Sequence, residues 1–147
     1  MPLKNTIQED MKTAMRSGEK DRLSVIRMLL AAVKQREIDE RIELDDTNVT
    51  AVIEKLVKQR QEASKQFRDA ERNDLADKED AEMKILQHYL PEPLSETETS
   101  ELIASVIEQT GATSIKDMGK VMNALKTQAA GRLDMSKVSA AVRQHLS

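Results

Sequence analysis

The chain has 147 residues, of which 33% are charged, with a formal net charge of −3 and no cysteine. This length suits one ordinary domain or two small ones, and it is enough to bury a stable core. The lack of cysteine excludes a disulfide framework, a thiolate metal site and a cysteine nucleophile. No segment has the length of a membrane span or the apolar core of a signal peptide, so the sequence predicts a soluble cytoplasmic protein without a membrane partner.

The composition predicts an all-α fold. Phe67 and Tyr89 are the only aromatic residues, whereas Ala, Leu, Lys, Glu, Met, Gln and Arg are abundant. These abundant residues are the strongest helix formers. The core must therefore be built from Leu, Ile, Val, Met and Ala, and we expect the eight methionines to fill irregular gaps in it rather than to hold a cofactor.

Neither glycine nor proline occurs between Glu19 and Leu90, so this stretch is predicted to be almost entirely helical. Together with the helix that ends at Gly18, it gives four predicted helices ahead of Pro91. Ser17-Gly18 ends the first helix, since glycine readily takes the left-handed conformation. Asp45-Asp46-Thr47 offers oxygen acceptors to the free amides of the third helix, and Asn73-Asp74 does so for the fourth. The predicted helices are residues 3–16, 20–41, 48–72 and 75–89.

Apolar residues at helical spacing predict the buried side of each of these helices. The predicted buried residues are Leu3, Ile7, Met11, Ala14 and Met15 in the first helix, then Leu23, Ile26, Leu30 and Val33 in the second. In the third and fourth helices they are Val49, Val52, Ile53, Leu56, Ala63 and Phe67, then Ala81, Ile85, Leu86 and Tyr89.

The third helix also carries a mixed row of charges. Its Lys and Arg residues alternate with acidic residues at spacings of three and four, which favours a solvated face of salt bridges within the helix over a track for phosphates. The basic residues are Lys55, Lys58, Arg60, Lys65, Arg68 and Arg72, and the acidic ones are Glu54, Glu62, Asp69 and Glu71. The acidic cluster of the fourth helix lacks the spacing of a calcium loop; it comprises Asp77, Glu79, Asp80 and Glu82.

Pro91-Glu92-Pro93 is the clearest domain boundary in the chain. Two prolines remove two amide donors and push the residues before them towards extended conformations, so no helix crosses this point. The boundary separates a predicted N-terminal helical domain, residues 1–90, from a predicted three-helix domain, residues 94–147.

Capping signals predict the limits of the three C-terminal helices. Ser95 and Glu98 have the spacing of a capping box ahead of an apolar run, and Ser114 and Asp117 repeat that spacing. Gly111 and Gly131 are expected to end the fifth and sixth helices. Asp134 is expected to cap the seventh, which contains Val138, Ala141, Val142 and Leu146.

The charge of the chain changes sign near Gly111. From this residue onward the chain has six Lys and Arg against two Asp, whereas residues 1–110 have 17 basic and 24 acidic residues. Such an asymmetry indicates an anionic partner, for which RNA is the candidate. The candidate RNA-binding residues are Lys116, Lys120, Lys126, Arg132, Lys137 and Arg143.

These basic residues come from three separate elements, so they form a patch only if folding brings them together. Scattered charges that keep the protein in solution are an equally good interpretation. The chain has no aromatic residue after Tyr89, so the stacking of RNA bases is not supported. Any RNA would be held by its backbone and shape.

Two glycines belong to the same region. Gly119 lies inside a predicted helix, where glycine costs about 1 kcal/mol relative to alanine. Packing against a neighbouring helix is the favoured explanation, and close approach by a ligand's backbone is the alternative. Gly131 is explained as a helix stop, after which Arg132 projects from the junction.

No catalytic constellation is present in the sequence. His88 and His145 lie far apart and belong to no metal-binding or nucleophile pattern. A glycine-rich phosphate loop and a nucleophile elbow are also missing. The sequence therefore predicts neither a cofactor nor a metal, and it gives no support for an enzyme without excluding one.

Three motifs occur in a fixed order along the chain. They are Lys58-Gln59-Arg60 with Arg72-Asn73-Asp74-Leu75-Ala76, then Tyr89-Leu90-Pro91-Glu92-Pro93-Leu94-Ser95, then Gly119-Lys120-Val121-Met122 with Gly131-Arg132 and Asp134. Together they resemble the YqeY family of bacterial proteins over essentially the whole chain.

This resemblance implies an all-helical protein in two parts. The C-terminal part of the family is similar to the tail of GatB, a subunit of the glutamine-dependent amidotransferase that converts mischarged Glu-tRNA or Asp-tRNA. In that enzyme the tail contacts tRNA, and the chemistry occurs elsewhere. The positions that correspond to recurring positions of the tail are Gly119, Lys120, Val121, Met122, Gly131 and Arg132.

The resemblance thus implies a non-catalytic adaptor for tRNA or another structured RNA. One alternative is an accessory protein of the amidotransferase, which is a carbon–nitrogen ligase that uses glutamine as its amide donor. The other is a protein–protein interaction module that acts through the N-terminal helices. Any assignment of ligase activity to this chain would rest on association with GatB alone.

Overall fold

The computed structural model describes residues 2–147, which form seven α-helices, one 3-10 turn and no strand. The all-α prediction is therefore confirmed. The helices are α1 Leu3–Ser17, α2 Lys20–Glu40, α3 Asp46–Asp69, α4 Asn73–Gln87, α5 Glu96–Thr110, α6 Met118–Gln128 and α7 Met135–Leu146, and the 3-10 turn is Ile115–Asp117. None of the described helices combines the length and the apolar character that crossing a membrane requires.

The chain divides into two compact units, of which the first ends at Leu90 and the second is Pro91–Ser147. In the first unit α3 packs along α4, and α1 packs along α2. Its core is aliphatic, as the composition requires, and burial of this apolar surface is the main source of its stability. The buried core residues are Ile7, Ala14, Val25, Ile26, Leu29, Val33, Leu44, Val49, Val52, Ile53, Val57 and Leu86.

Several predicted helix ends are confirmed. Gly18 follows α1 with a φ of 72°, in the left-handed conformation. The Asp45 side chain accepts a hydrogen bond from the Asn48 amide at 2.9 Å and so caps α3. Ser95 and Glu98 form the complete capping box of α5. In each case a local sequence signal was sufficient, because the partners are at most four residues apart.

The junction between α3 and α4 differs from the prediction. Asn73 is the first residue of α4 rather than its cap, and Arg72 at the cap position makes no side-chain capping bond. The chain reverses at Glu71, which has a φ of 59° although it is not a glycine. A left-handed non-glycine residue has no clear sequence signal, so this turn could not be placed from the sequence.

The predicted buried stripes are correct in part. Met15 is 52% exposed and Ala81 is also exposed, so both of these predictions are wrong. In α2, Val25 and Leu29 are buried in place of Leu23 and Leu30, which pack only partly against the core. A helix with apolar residues on more than one side does not show which side faces the core, because that choice depends on the neighbouring helices.

The ion pairs of Arg60 and Arg68 in α3 run to α4. The Arg68 guanidinium lies 3.0 Å from Asp77 and 2.7 Å from Asp80, and Ser64 donates a hydrogen bond to Asp80 at 2.6 Å. The bonds from Ser64 and Arg68 lower the pKa of Asp80. The acidic residues of α4 therefore serve the contact between these helices, and the predicted pairing within α3 is wrong for Arg68.

Arg60 is the most enclosed cation of this contact. Its side chain is 19% exposed, and its Nε lies 3.4 Å from the Oε2 of Glu79 and 3.1 Å from the Oε2 of Glu82. Arg60 Nε and Glu79 Oε2 are buried without a hydrogen bond of good geometry. The free-energy cost of removing these charges from water offsets much of their attraction, so the cluster as a whole contributes little net stability. Removal of one partner is costly, however, because the others would stay enclosed without a counter-charge.

The connection between α2 and α3 is held by Glu37. Its carboxylate accepts a hydrogen bond from the Leu44 amide at 2.9 Å and one from Lys4 Nζ at 2.9 Å. The bond from Leu44 and then the bond from Lys4 lower the pKa of Glu37 below its ordinary value of 4.5. This carboxylate thus ties the segment after α2 to the first helix.

In the second unit α6 contacts both α5 and α7 around a second aliphatic core. The buried residues of this core are Ile103, Val106, Val121, Leu125, Val138, Val142 and Leu146. The prolines before α5 belong to this unit, because the Leu94 amide donates to the carbonyl oxygen of Arg132 at 3.0 Å. Asp134 accepts a bond from the Ser136 amide and caps α7, as predicted.

The start of α6 differs from the prediction. Ser114 makes no capping bond, and Ile115–Asp117 forms a 3-10 turn before the helix begins at Met118. Asp117 instead accepts a hydrogen bond from the Thr113 amide at 3.0 Å. Gly119 is therefore the second residue of α6 and not an interior residue.

Gly119 is exposed, and a Cβ built on it would meet no described atom within 4 Å. The expected packing of a neighbouring helix against Gly119 is therefore wrong. Gly131 has a φ of 77°, but α6 already ends at Gln128 with Ala129 at the cap position. This glycine shapes the turn after the helix, which requires the left-handed conformation, rather than stopping the helix itself.

Replacing Arg60 by alanine is expected to destabilise the first unit by about 2–4 kcal/mol, because Glu79 and Glu82 would remain enclosed without a counter-charge. Chemical denaturation measures the change. Lys58→Ala, an exposed position of the same helix, is the matched control and should alter stability by less than about 0.5 kcal/mol. Equal effects of the two substitutions would contradict the role given to Arg60.

The stability of the first unit should decrease as the pH falls through and below 4.5, in part through Glu37. Because folding lowers the pKa of this group, its contribution is present above the unfolded pKa and is lost on protonation. Glu37→Gln should lower stability at neutral pH and weaken the acid dependence, as measured by thermal melts across pH. Glu62→Gln, at an exposed position of α3, should change neither property.

Gly119→Ala is expected to raise the free energy of unfolding by up to about 1 kcal/mol, because α6 is helical there and the added methyl group has open space. Gly111→Ala is the matched control and should destabilise, since Gly111 has a φ of 68°. A loss of stability in Gly119→Ala would show that this glycine is required by the fold.

Candidate nucleic-acid interface

The boundary at Pro91 changes the interpretation of the charge asymmetry. The second unit has six basic and seven acidic residues, and the first has 17 basic and 19 acidic residues. The second unit is therefore not basic as a whole. The asymmetry lies inside it, because α5 carries four glutamates and no Lys or Arg, whereas the residues after Gly111 carry all six cations.

Five of the six candidate RNA-binding residues are exposed: Lys116 in the 3-10 turn, Lys120 and Lys126 in α6, and Lys137 and Arg143 in α7. Among the described residues of the second unit, none of these five forms an ion pair with a carboxylate. In the first unit, by contrast, Arg60 and Arg68 are neutralised by α4. The cations of the second unit thus remain available to an external anion.

Arg132 differs from the other five because it is half-buried and bonded. Its Nε donates to the carbonyl oxygen of Glu92 at 2.8 Å, and its own carbonyl oxygen accepts from the Leu94 amide. Hydrogen bonds from Ser95 lower the pKa of Glu98, with a smaller contribution from the charge of Arg132. Arg132 therefore fixes the segment before α5. This role could not be predicted from the sequence, because the bonded residues are far apart along the chain.

The structure places two of the six candidates in one groove. Arg132 and Lys137 line a groove of about 370 Å³ between α5 and α7, together with His145. The apolar part of its lining comes from Leu94, Ile103, Leu133, Val138 and Ala141. The remaining four cations do not line this groove, so the six residues do not share a single pocket.

The other residues of the C-terminal motif have separate roles. Val121 is fully buried in the core of the second unit, and Met122 packs partly against that core. Both contribute to the three-helix packing, and Val121 is not accessible to a ligand from the solvent. His145 Nδ1 lies 2.8 Å from the carbonyl oxygen of Ala141 in the last turns of α7, which suits a helix C-terminus.

Tyr89 organises polar groups in the first unit, whereas the sequence predicted only that it would be buried. Its hydroxyl donates a hydrogen bond to Asp10 at 2.6 Å. Burial, followed by the bond to Asp10 and the charge of that residue, raises the pKa of Tyr89 to about 12. His88 contacts the same ring edge-on, with ring centroids 5.4 Å apart.

In residues 2–147 no group of His, Asp and Glu side chains is arranged to hold a metal ion.

Comparison with known proteins finds relatives in fungi. A protein named Altered inheritance of mitochondria protein 41, mitochondrial, from Pyrenophora tritici-repentis is 33% identical over 136 residues, covering 89% of this chain and 75% of the relative. An uncharacterized protein of Schizosaccharomyces pombe is 33% identical over 93 residues, covering 63% of this chain and 76% of the relative. A protein of Eremothecium gossypii that has the same name as the Pyrenophora protein is 38% identical over 85 residues, covering 57% of this chain and 46% of the relative.

These relatives show that similar proteins are not confined to bacteria, with which the sequence resemblance associated the family. Their names refer to mitochondria, so the cytoplasmic location stays a prediction for this chain. A family model described as Yqey-like protein matches residues 4–146. The resemblance seen in the sequence motifs is thereby confirmed, and the chain belongs to the YqeY family.

Proposed function

We propose that this protein is a non-catalytic adaptor that binds tRNA or another structured RNA through α6, α7 and the 3-10 turn of its second unit. The observation that carries the proposal is a group of exposed cations in the second unit that form no ion pair with a carboxylate of that unit. Arg60 and Arg68 are neutralised inside the first unit, whereas Lys120, Lys126 and Arg143 are exposed and unpaired. An RNA phosphate backbone would supply acceptors for these cations, which form no ion pair with the acidic residues of their own unit.

The distribution of charge also limits how RNA would bind. The four glutamates of α5 repel phosphates, so contact is restricted to the side formed by the later elements. No aromatic side chain is present there for base stacking. Recognition would therefore depend on the shape and backbone of a folded RNA, which is consistent with the resemblance to the GatB tail.

A protein partner is the second candidate function, and exposed apolar residues favour it. Ile38 is 61% exposed near the end of α2, and Ile42 is 46% exposed just beyond it. Such residues often mark a contact with another protein. If the protein is an accessory protein of the amidotransferase, that partner would be a subunit of this enzyme. We favour RNA because the unpaired cations are more numerous than the exposed apolar residues near α2.

The double substitution Lys120→Glu with Lys126→Glu is expected to weaken tRNA binding by at least about tenfold and to reduce the salt dependence of the affinity. Fluorescence anisotropy at several salt concentrations measures both quantities. Arg132 is left unchanged, because its replacement would also break the bonds to Glu92 and Leu94.

Lys55→Glu with Lys58→Glu is the matched control, since it makes the same charge change at exposed positions of α3. This control should retain the affinity and salt dependence of the unmodified protein. Unchanged tRNA binding in the α6 variant would remove the support for the proposed RNA surface. If tRNA binding is unchanged and a copurifying protein stays bound after nuclease treatment, the second candidate function is favoured.

A further inference from the structure

Three nitrogen-bearing side chains converge on one pocket of the first unit. Arg22 of α2, Lys84 of α4 and His88, which follows α4, line a pocket of about 280 Å³. Ile85 is the fourth residue of the lining. Two permanent cations and an imidazole around one apolar side chain are the elements of an anion site rather than of a core.

Arg22 is positioned from behind by two carboxylates. Its guanidinium nitrogens lie 3.9 Å from Asp10 Oδ2 and 4.0 Å from Glu19 Oε2. Both distances are too long for hydrogen bonds, so the carboxylates orient the guanidinium without fully occupying its donors. Asp10 is itself fixed, because it accepts the short hydrogen bond from the Tyr89 hydroxyl.

Tyr89 also positions His88. The two rings meet at an angle of 72°, in the edge-to-face arrangement that aromatic pairs favour. One tyrosine therefore orients Arg22, through Asp10, and His88, through ring contact. Support of this kind behind a group of exposed polar side chains is characteristic of a binding site, because it reduces the ordering that a ligand would otherwise require.

Lys84 completes the cluster from α4. It is exposed and forms no ion pair among the described residues, although its charge contributes to lowering the pKa of Asp80 one turn earlier in the helix. His88 is likewise exposed, and no hydrogen bond of its imidazole is seen among the described residues. Lys84 is thus free to turn towards an anion in the pocket, and the ring nitrogens of His88 remain available to it.

We infer that Arg22, Lys84 and His88 form a binding site for a phosphate group, with Ile85 in contact with the organic part of a phosphate ester. The planar guanidinium of Arg22 matches two oxygens of a phosphate, and Lys84 adds a compact second charge. A phosphate offers more acceptor oxygens than a carboxylate, so it can contact both cations at once. The inference does not depend on RNA binding by the second unit.

Titration of the full-length protein with phosphate compounds tests the inference. Adenosine 5′-monophosphate and inorganic phosphate should cause saturable shifts of the His88 ring signals in NMR spectra, and adenosine without phosphate should not. Arg22→Gln and Lys84→Gln should each weaken binding of both phosphate compounds by about tenfold, which corresponds to the loss of one charged contact. Thermal melts of each variant establish that it remains folded.

Arg27→Gln and Lys78→Gln are the matched controls, because both residues are exposed on the same two helices and do not line the pocket. They should bind like the unmodified protein. Tyr89→Phe tests the positioning role, since it removes the bond to Asp10 and keeps the ring beside His88. It should weaken phosphate binding by about threefold while the ring-current shift of His88 remains.

A short RNA duplex distinguishes the two sources of phosphate. An affinity for the duplex that depends on Arg22 and Lys84 would identify a nucleic-acid backbone as the source. If only the small compounds depend on them, the ligand class is a small phosphate ester. The inference is overturned if no compound causes saturable shifts, or if the variants at Arg22 and Lys84 bind every probe as tightly as the controls.

Discussion

The aliphatic composition of the chain is the constraint on which the rest of the structure depends. Phe67 and Tyr89 are the only aromatic residues, so few bulky rings can fill the space between helices. The helices must therefore pack closely through Leu, Ile, Val and Ala, and long charged side chains must cover what these leave open. Arg60 and Arg68 lie between α3 and α4, where their charges meet carboxylates of the facing helix.

The same constraint explains how much of the fold could be predicted from the sequence. Gly18, Asp45 and the Ser95–Glu98 pair act within a few residues of their own position, so their roles were visible. The exposure of Met15 was not visible, because it depends on where the neighbouring helices lie. The turn at Glu71 was hidden for another reason, since a left-handed glutamate leaves no compositional signal.

The candidate site shows the same division between local and long-range information. The sequence identified the cations of α6 and α7, whose exposure the structure supports. It could not show that Arg132 bonds to Glu92, because the two residues are 40 positions apart. The sequence did predict α5 in the same domain as those cations, but the charge count that began at Gly111 left out the four glutamates of this helix. Net charge counted along a chain is therefore a poor guide to the charge of a folded unit.

The bond between Leu94 and Arg132 has a mechanical consequence. The chain enters the second unit through Pro91–Leu94, which is attached to the turn between α6 and α7 by this bond and by the one from Arg132 to Glu92. A force applied along the chain at Pro91 would reach that turn before it reached the first turn of α5. The turn that joins the two cation-bearing helices is thus the first part of this unit to bear tension transmitted along the backbone.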